Sequence, residues 1–181
     1  ITLQVASVLE DLQQYGLALD SYSSVTQNSP NYILAELGRA NTLALLNKKE
    51  VSVEVLKSLS KKHYNHVIVH SSLGNMLRET DRDIEAIEAY STAIELANLK
   101  KQPRWSIYFY RGILYEKQRK FLKMESDFRA ALKLSPNQPD VLNFLGYSLV
   151  EQREKLPEAL QMIKMAVSEK PKSGYIIDSI G

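Results

Sequence analysis

His63, His66 and His70 are the three histidines of the chain, and spacings of three and four residues could present their imidazoles to a metal ion. The chain has no cysteine, and no suitably placed acidic residue completes such a set. His63 and His66 fall in a stretch that reads as a turn, with His70 on the packing side of the helix that follows. No metal site and no cofactor are therefore expected. Between Lys100 and Lys123 stand eight basic residues and a single acid, Glu116, the one strong asymmetry in a chain of net charge +2. Such a run could form an edge for nucleic acid or for an acidic surface. Its members map to turns at both ends of a helical hairpin, so a solvated rim is the simpler reading and nucleic acid is not an expected partner. The sequence carries no glycine-rich phosphate loop, no nucleophile elbow and no carboxylate pair in an apolar setting. Neither enzymatic activity nor a small-molecule substrate is expected.

The elements that must position these side chains are legible as a repeat. With 44% apolar and 24% charged residues, the 181-residue chain can bury a core. Its uninterrupted apolar runs are a few residues long, against roughly 18 for a membrane-spanning helix. A small residue recurs at Ala6, Ala40, Gly74, Gly112, Gly146 and Gly181, in steps of 34, 34, 38, 34 and 35. A second column, mostly small, reads Ala18, Ser52, Ala86, Met124, Ala159. A bulky third reads Tyr22, Leu56, Tyr90, Phe128, Ile163, and a fourth Val25, Leu59, Ala93, Ala131, Ala166. A fifth column of helix stoppers is Pro30, Tyr64, Asn98, Pro136, Pro171. Apolar spacing of three and four within each unit, as in Leu142, Leu145, Gly146 and Leu149, predicts two amphipathic helices per unit. Small residues of the two helices are expected to face each other, with the bulky column filling the gap toward the next unit. Pro139 and Pro157 sit near helix starts. The insertion around Asn98 to Arg104 lengthens one loop and lets the preceding helix run on.

This pattern resembles the tetratricopeptide-repeat (TPR) family over the whole chain, most closely in Gly112 to Pro136 and Leu145 to Pro171. The resemblance implies an all-α fold, a right-handed superhelix (α-solenoid) of antiparallel helical hairpins, in units 1–32, 33–66, 67–104, 105–138, 139–173 and a partial 174–181. The phrasing of the last units is similar to bacterial members, some of which work in the cell envelope, so bacterial cytoplasm and the periplasmic side both stay open as compartments. Because the chain opens on Ile1 inside a helical pattern, it reads as a fragment of something longer.

In this family the first helices line a concave groove, which makes the chain a protein-interaction scaffold for a peptide or helix of a partner. The groove residues so implied are Asn41, Asn75, Phe109, Tyr110, Ile113, Asn143, Phe144 and Tyr147. These columns carry no Lys or Arg, which disfavours a clamp for a C-terminal carboxylate. Asn41 and Asn75 are 34 residues apart and could hold a peptide backbone. The aromatic residues could anchor an apolar segment or belong to the inter-repeat core. A second reading is self-assembly into a homo-oligomer through the end helix, with Tyr175, Ile176, Ile177 and Ile180. A third is RNA or acidic-surface binding at the Lys100 to Lys123 edge.

Overall fold

The computed structural model describes residues 2–179, which form eleven helices. They are α1 (Thr2–Asp11), α2 (Tyr15–Ser23), α3 (Tyr32–Leu45), α4 (Lys49–Lys62), α5 (Val67–Glu79), α6 (Asp83–Leu99), α7 (Trp105–Lys117), α8 (Phe121–Leu134), α9 (Pro139–Glu151), α10 (Leu156–Glu169) and α11 (Gly174–Ile177). The fold is all-α, and consecutive helices pair into antiparallel hairpins. Two compact units divide at the inserted loop, the first ending at Lys101 and the second starting at Gln102. In the first, three hairpins (α1/α2, α3/α4, α5/α6) pack in succession, with α1 against α3 and α3 against α5. In the second, α7/α8 and α9/α10 pack through α8 and α9, and α11 rests on α10. Among the described residues, no helix is long and apolar enough to cross a membrane. Gly181, Ile180 and Ile1, used above to mark the repeat and its ends, lie outside the described residues.

Both small-residue columns are buried, as the close approach of paired helices requires. The expected facing of the two columns is present at Ser52 with Ala40 and at Gly146 with Ala159, whereas Tyr90, Phe128 and Ile163, expected to fill the gap toward the next unit, pack inside their own hairpins. The glycine column faces the bulky column of its own hairpin. A Cβ on Gly74 would come within 2.7 Å of the Tyr90 ring, and one on Gly112 within 2.6 Å of the Phe128 ring. Tyr90 and Phe128 are fully buried, so neither ring has space to retreat. In the last hairpin, a Cβ on Gly146 would meet Ile163 Cγ1 at 2.8 Å and the Ala159 carbonyl oxygen at 2.9 Å. The one hydroxyl in the second column, Ser52, is fully buried and donates to the Ala40 carbonyl at 2.7 Å, so that hairpin closes without an unsatisfied polar group.

A further column closes every hairpin. Gln13, Asn47, Asp81, Arg119 and Arg153 all have φ between 54° and 61°, the left-handed region, each seven residues after the small residue of its first helix. The residue after each donates its N–H five residues back, as Lys120 does to Tyr115 and Glu154 to Leu149 (2.8 and 2.9 Å). This bonding is the Schellman helix ending, here built without a single glycine. The fifth hairpin holds one extra turn residue, absorbed by a second left-handed residue, Lys155 (φ 45°), ahead of Pro157. Asn98 does not stop its helix: α6 continues to Leu99, and the left-handed Lys101 ends it within the lengthened loop. Pro139 is the first residue of α9 and Pro157 the second of α10, where a missing N–H costs no helical bond.

Gly112→Ala should lower stability by about 1–3 kcal/mol in urea denaturation, as overpacking does, with Phe128→Leu in the same chain restoring part of the loss. Arg119→Gly should raise stability by about 0.5–1 kcal/mol by removing left-handed strain, and Asp81→Gly by less, because aspartate tolerates that conformation.

Candidate functional site

In the second unit, α9 and the C-terminal turn enclose one face of a cavity of about 470 Å³. Asn143, Phe144 and Tyr147 of α9 line it, with Glu116 of α7 and Tyr175 and Asp178. Asn143 is 5% exposed, and its side-chain carbonyl oxygen has no hydrogen-bond partner. Tyr147 is 45% exposed and Phe144 half-buried. Burial pushes the Glu116 carboxyl above the usual carboxylate range, against a hydrogen bond from Ser148 and with the Glu151 charge adding to the rise. Tyr175 is held at the rim by its hydroxyl, which donates to Asp140, and Lys170 binds the same carboxylate at 2.9 Å. Glu116 and Asp178 are not among the residues expected from sequence, and Tyr175 is expected there on an assembly face rather than in the groove. Glu116 could have been found, since it continues the stripe of Phe109 and Ile113 at the next helical step.

The other expected groove residues divide. Phe109 is core and offers no surface to a ligand. It is 6% exposed, with its ring 5.8 Å from that of Phe128, 5.5 Å from Phe144 and 6.0 Å from Trp105. Tyr110 and Ile113 are half-buried beside it. In the first unit Asn41 is exposed and donates to Glu10 Oε1 at 3.3 Å. Thr42 donates to the same oxygen and the Tyr22 hydroxyl to Oε2. Burial, and then this carboxylate, push the Tyr22 phenol up to about 12. Asn75 is half-buried and accepts from the Tyr90 hydroxyl at 2.7 Å. One amide is thus engaged through its N–H and the other through its oxygen, so the two asparagines do not repeat a single outward-facing group.

At the end of the second unit, α11 turns Ile176 fully into a cluster with Leu142 and Ala166, leaving Tyr175 and Ile177 as its exposed large side chains. The helix expected to offer its apolar face to another copy therefore spends the central residue of that face on its own chain.

Paired helices, buried small columns and turns repeating in step define a helical-hairpin repeat protein. No family model matches the sequence. A TPR repeat-containing protein of Pseudomonas aeruginosa is 24% identical over 95% of this chain and 28% of its own length. Human tetratricopeptide repeat protein 13 is 26% identical over 93% of this chain and 19% of its own. The chain thus spans less than a third of these relatives. A crystal structure of YrrB, a TPR protein with an unusual peptide-binding site, superposes with a TM-score of 0.75 at 16% identity, covering 99% of this chain and 90% of that one. In sequence and in fold the chain is thus similar to tetratricopeptide-repeat proteins.

The remaining sequence candidates are placed in structural roles. Arg111, in the basic run, is turned inward and makes a two-pronged bond to the buried Asp127 at 2.7 and 2.8 Å. Lys123 lies 5.5 Å over the Tyr115 ring, and Lys100 donates to the Asn65 carbonyl. The three histidines do not converge on one point: His63 is tilted against Tyr32 and meets His66 edge-on with ring centroids 6.1 Å apart, while His70 is buried and its Nε2 donates to the Tyr64 carbonyl at 2.8 Å. Among the described residues no cluster of three or more His, Asp or Glu is arranged to hold a metal.

Burial lowers the His70 pKa from 6.5, partly offset by the Tyr64 hydrogen bond. The unfolded chain therefore takes up the proton first as pH falls, and this component of stability is present above about 6.5 and lost below it. Thermal unfolding should show a drop in Tm between pH 7 and 5 that is smaller in His70→Gln, which leaves the other two histidines in place.

Proposed function

We propose that the chain holds an extended segment of a partner protein on the α9 face of its second unit. A TPR fold is a protein–protein interaction scaffold, and YrrB shows that a chain of this architecture can carry a peptide site. The observation that carries the reading is the Asn143 carbonyl oxygen, buried without a partner beside the partly exposed rings of Phe144 and Tyr147. A buried acceptor left unsatisfied costs about 1–3 kcal/mol, an expense that a donor from outside would offset. An extended segment supplies such donors, because its backbone N–H groups are unpaired, whereas those of a helix are already bonded within it. The aromatic rings supply apolar anchoring area.

Peptides selected from a random display library on the wild-type chain provide the probe. Tyr147→Ala should leave Tm nearly unchanged and weaken their binding by roughly tenfold or more, as loss of an aromatic anchor does. Asn143→Leu should hold stability level or raise it by about 1 kcal/mol, since it removes an unsatisfied polar group, and should still weaken binding. A destabilised Asn143→Leu with unchanged affinity would make Asn143 a structural residue and sink the reading. Phe109→Ala, in contrast, should cost about 3–5 kcal/mol as a core truncation.

A further inference from the structure

The α9 cavity carries a charge pattern that narrows what enters it, and the following rests on the peptide-binding reading above. Two carboxylates, Glu116 and Asp178, line it, and no Lys or Arg does. The nearby cation, Lys170, is held by Asp140. Three aromatic side chains, Phe144, Tyr147 and Tyr175, share the wall with Asn143, whose buried carbonyl oxygen has no partner. Each of these groups prefers the same guest. An acceptor with no donor needs an N–H. A carboxylate with no basic neighbour in its cavity needs a cation, and aromatic faces attract one. Burial strains the charged form of Glu116, and a cation seated beside it would relieve that strain.

We propose that this cavity is a subsite for one cationic side chain of the bound segment, arginine in preference to lysine. A guanidinium is planar, carries five N–H donors in a fixed fork and stacks on rings, so it can satisfy the Asn143 oxygen and a carboxylate together while lying against an aromatic face. The ammonium of lysine is a compact, strongly hydrated charge that leaves more of the cavity unmatched. A carboxylate-ended ligand is excluded by the same residues.

The test uses the full chain and random peptides displayed on phage. Selected peptides should carry arginine, or less often lysine, at one fixed register position. A synthetic peptide of the selected sequence should lose about tenfold in affinity when that arginine is replaced by citrulline, its neutral isostere. On Glu116→Gln protein the two peptides should bind alike. Asp178→Asn, at an exposed position, gives the same comparison should the first variant fold poorly, and there the discrimination should shrink. Selected peptides without a cationic position, or equal binding of the arginine and citrulline forms to wild type, would overturn the subsite while leaving peptide binding intact. Failure to select any peptide that Tyr147→Ala binds less well would overturn the peptide-binding reading and the subsite with it.

Discussion

A ring lying on a residue without a side chain is the contact on which the hairpins depend. Space between two paired helices is fixed, so what one column adds the facing column must give up. Glycine at 74 and 112 admits Tyr90 and Phe128. The second hairpin carries Ala40, and the residue it buries in the bulky column is the smaller Leu56. The first carries Ala6, and there Tyr22 sets its ring against Gly38 of the next hairpin, where an added Cβ would stand 2.4 Å from it. Gly146 faces Ile163, and the backbones close further, until the Ala159 carbonyl limits the approach. These are different solutions to one volume constraint, and they explain why two columns that vary in sequence keep step in space.

Hairpin closure sets what stacking can then repeat. Each first helix ends in the same left-handed turn, and some side chains at equal column positions meet equal neighbours in successive hairpins. Lys57, one residue after Leu56, binds Glu85, five before Tyr90, at 2.7 Å. Arg129, one after Phe128, binds Glu158, five before Ile163, at 2.9 Å. The two ion pairs, one in each unit, are the same contact made twice. With Arg82 donating first and Lys57 next, the Glu85 carboxyl is held down at about 2. Partly exposed pairs of this kind add little energy, so their effect is on register between hairpins rather than on stability.

Periodicity made the paired helices, the small columns and the helix start near Pro139 legible, because close packing leaves a mark at every repeat. It could not assign partners within that packing. Glycine and alanine look equivalent as small residues, and only the direction of the missing Cβ shows that a ring faces it. The left-handed turn column escaped notice since Gln13, Asn47, Asp81, Arg119 and Arg153 share a backbone conformation and no side-chain chemistry. Asn98 stands in the column of helix stoppers, yet the insertion behind it lets the helix run on, as its sequence implies, and α6 extends to Leu99. For Phe109 and Tyr147 the sequence leaves groove anchor and inter-repeat core both open, because a column position fixes a residue's stripe but not how deeply that stripe is buried.

The candidate site lies where the packing rule is broken. Asn143 occupies the column that holds Leu3, Leu37, Ser71 and Phe109, three residues before each small residue. In the preceding hairpin the structure buries Phe109 there as core, and it buries Asn143 as deeply. The amide is thus as buried as Phe109, whereas Leu3, Leu37 and Ser71 of the earlier hairpins are only half-buried, and its oxygen has no partner. On the α7 stripe, Glu116 follows Phe109 and Ile113 with a carboxylate whose charged form burial disfavours. A leucine at either position would satisfy the fold better. Two polar groups unsuited to their columns, on different helices, share one cavity. The proposed subsite would account for that coincidence through a ligand that brings donors and positive charge.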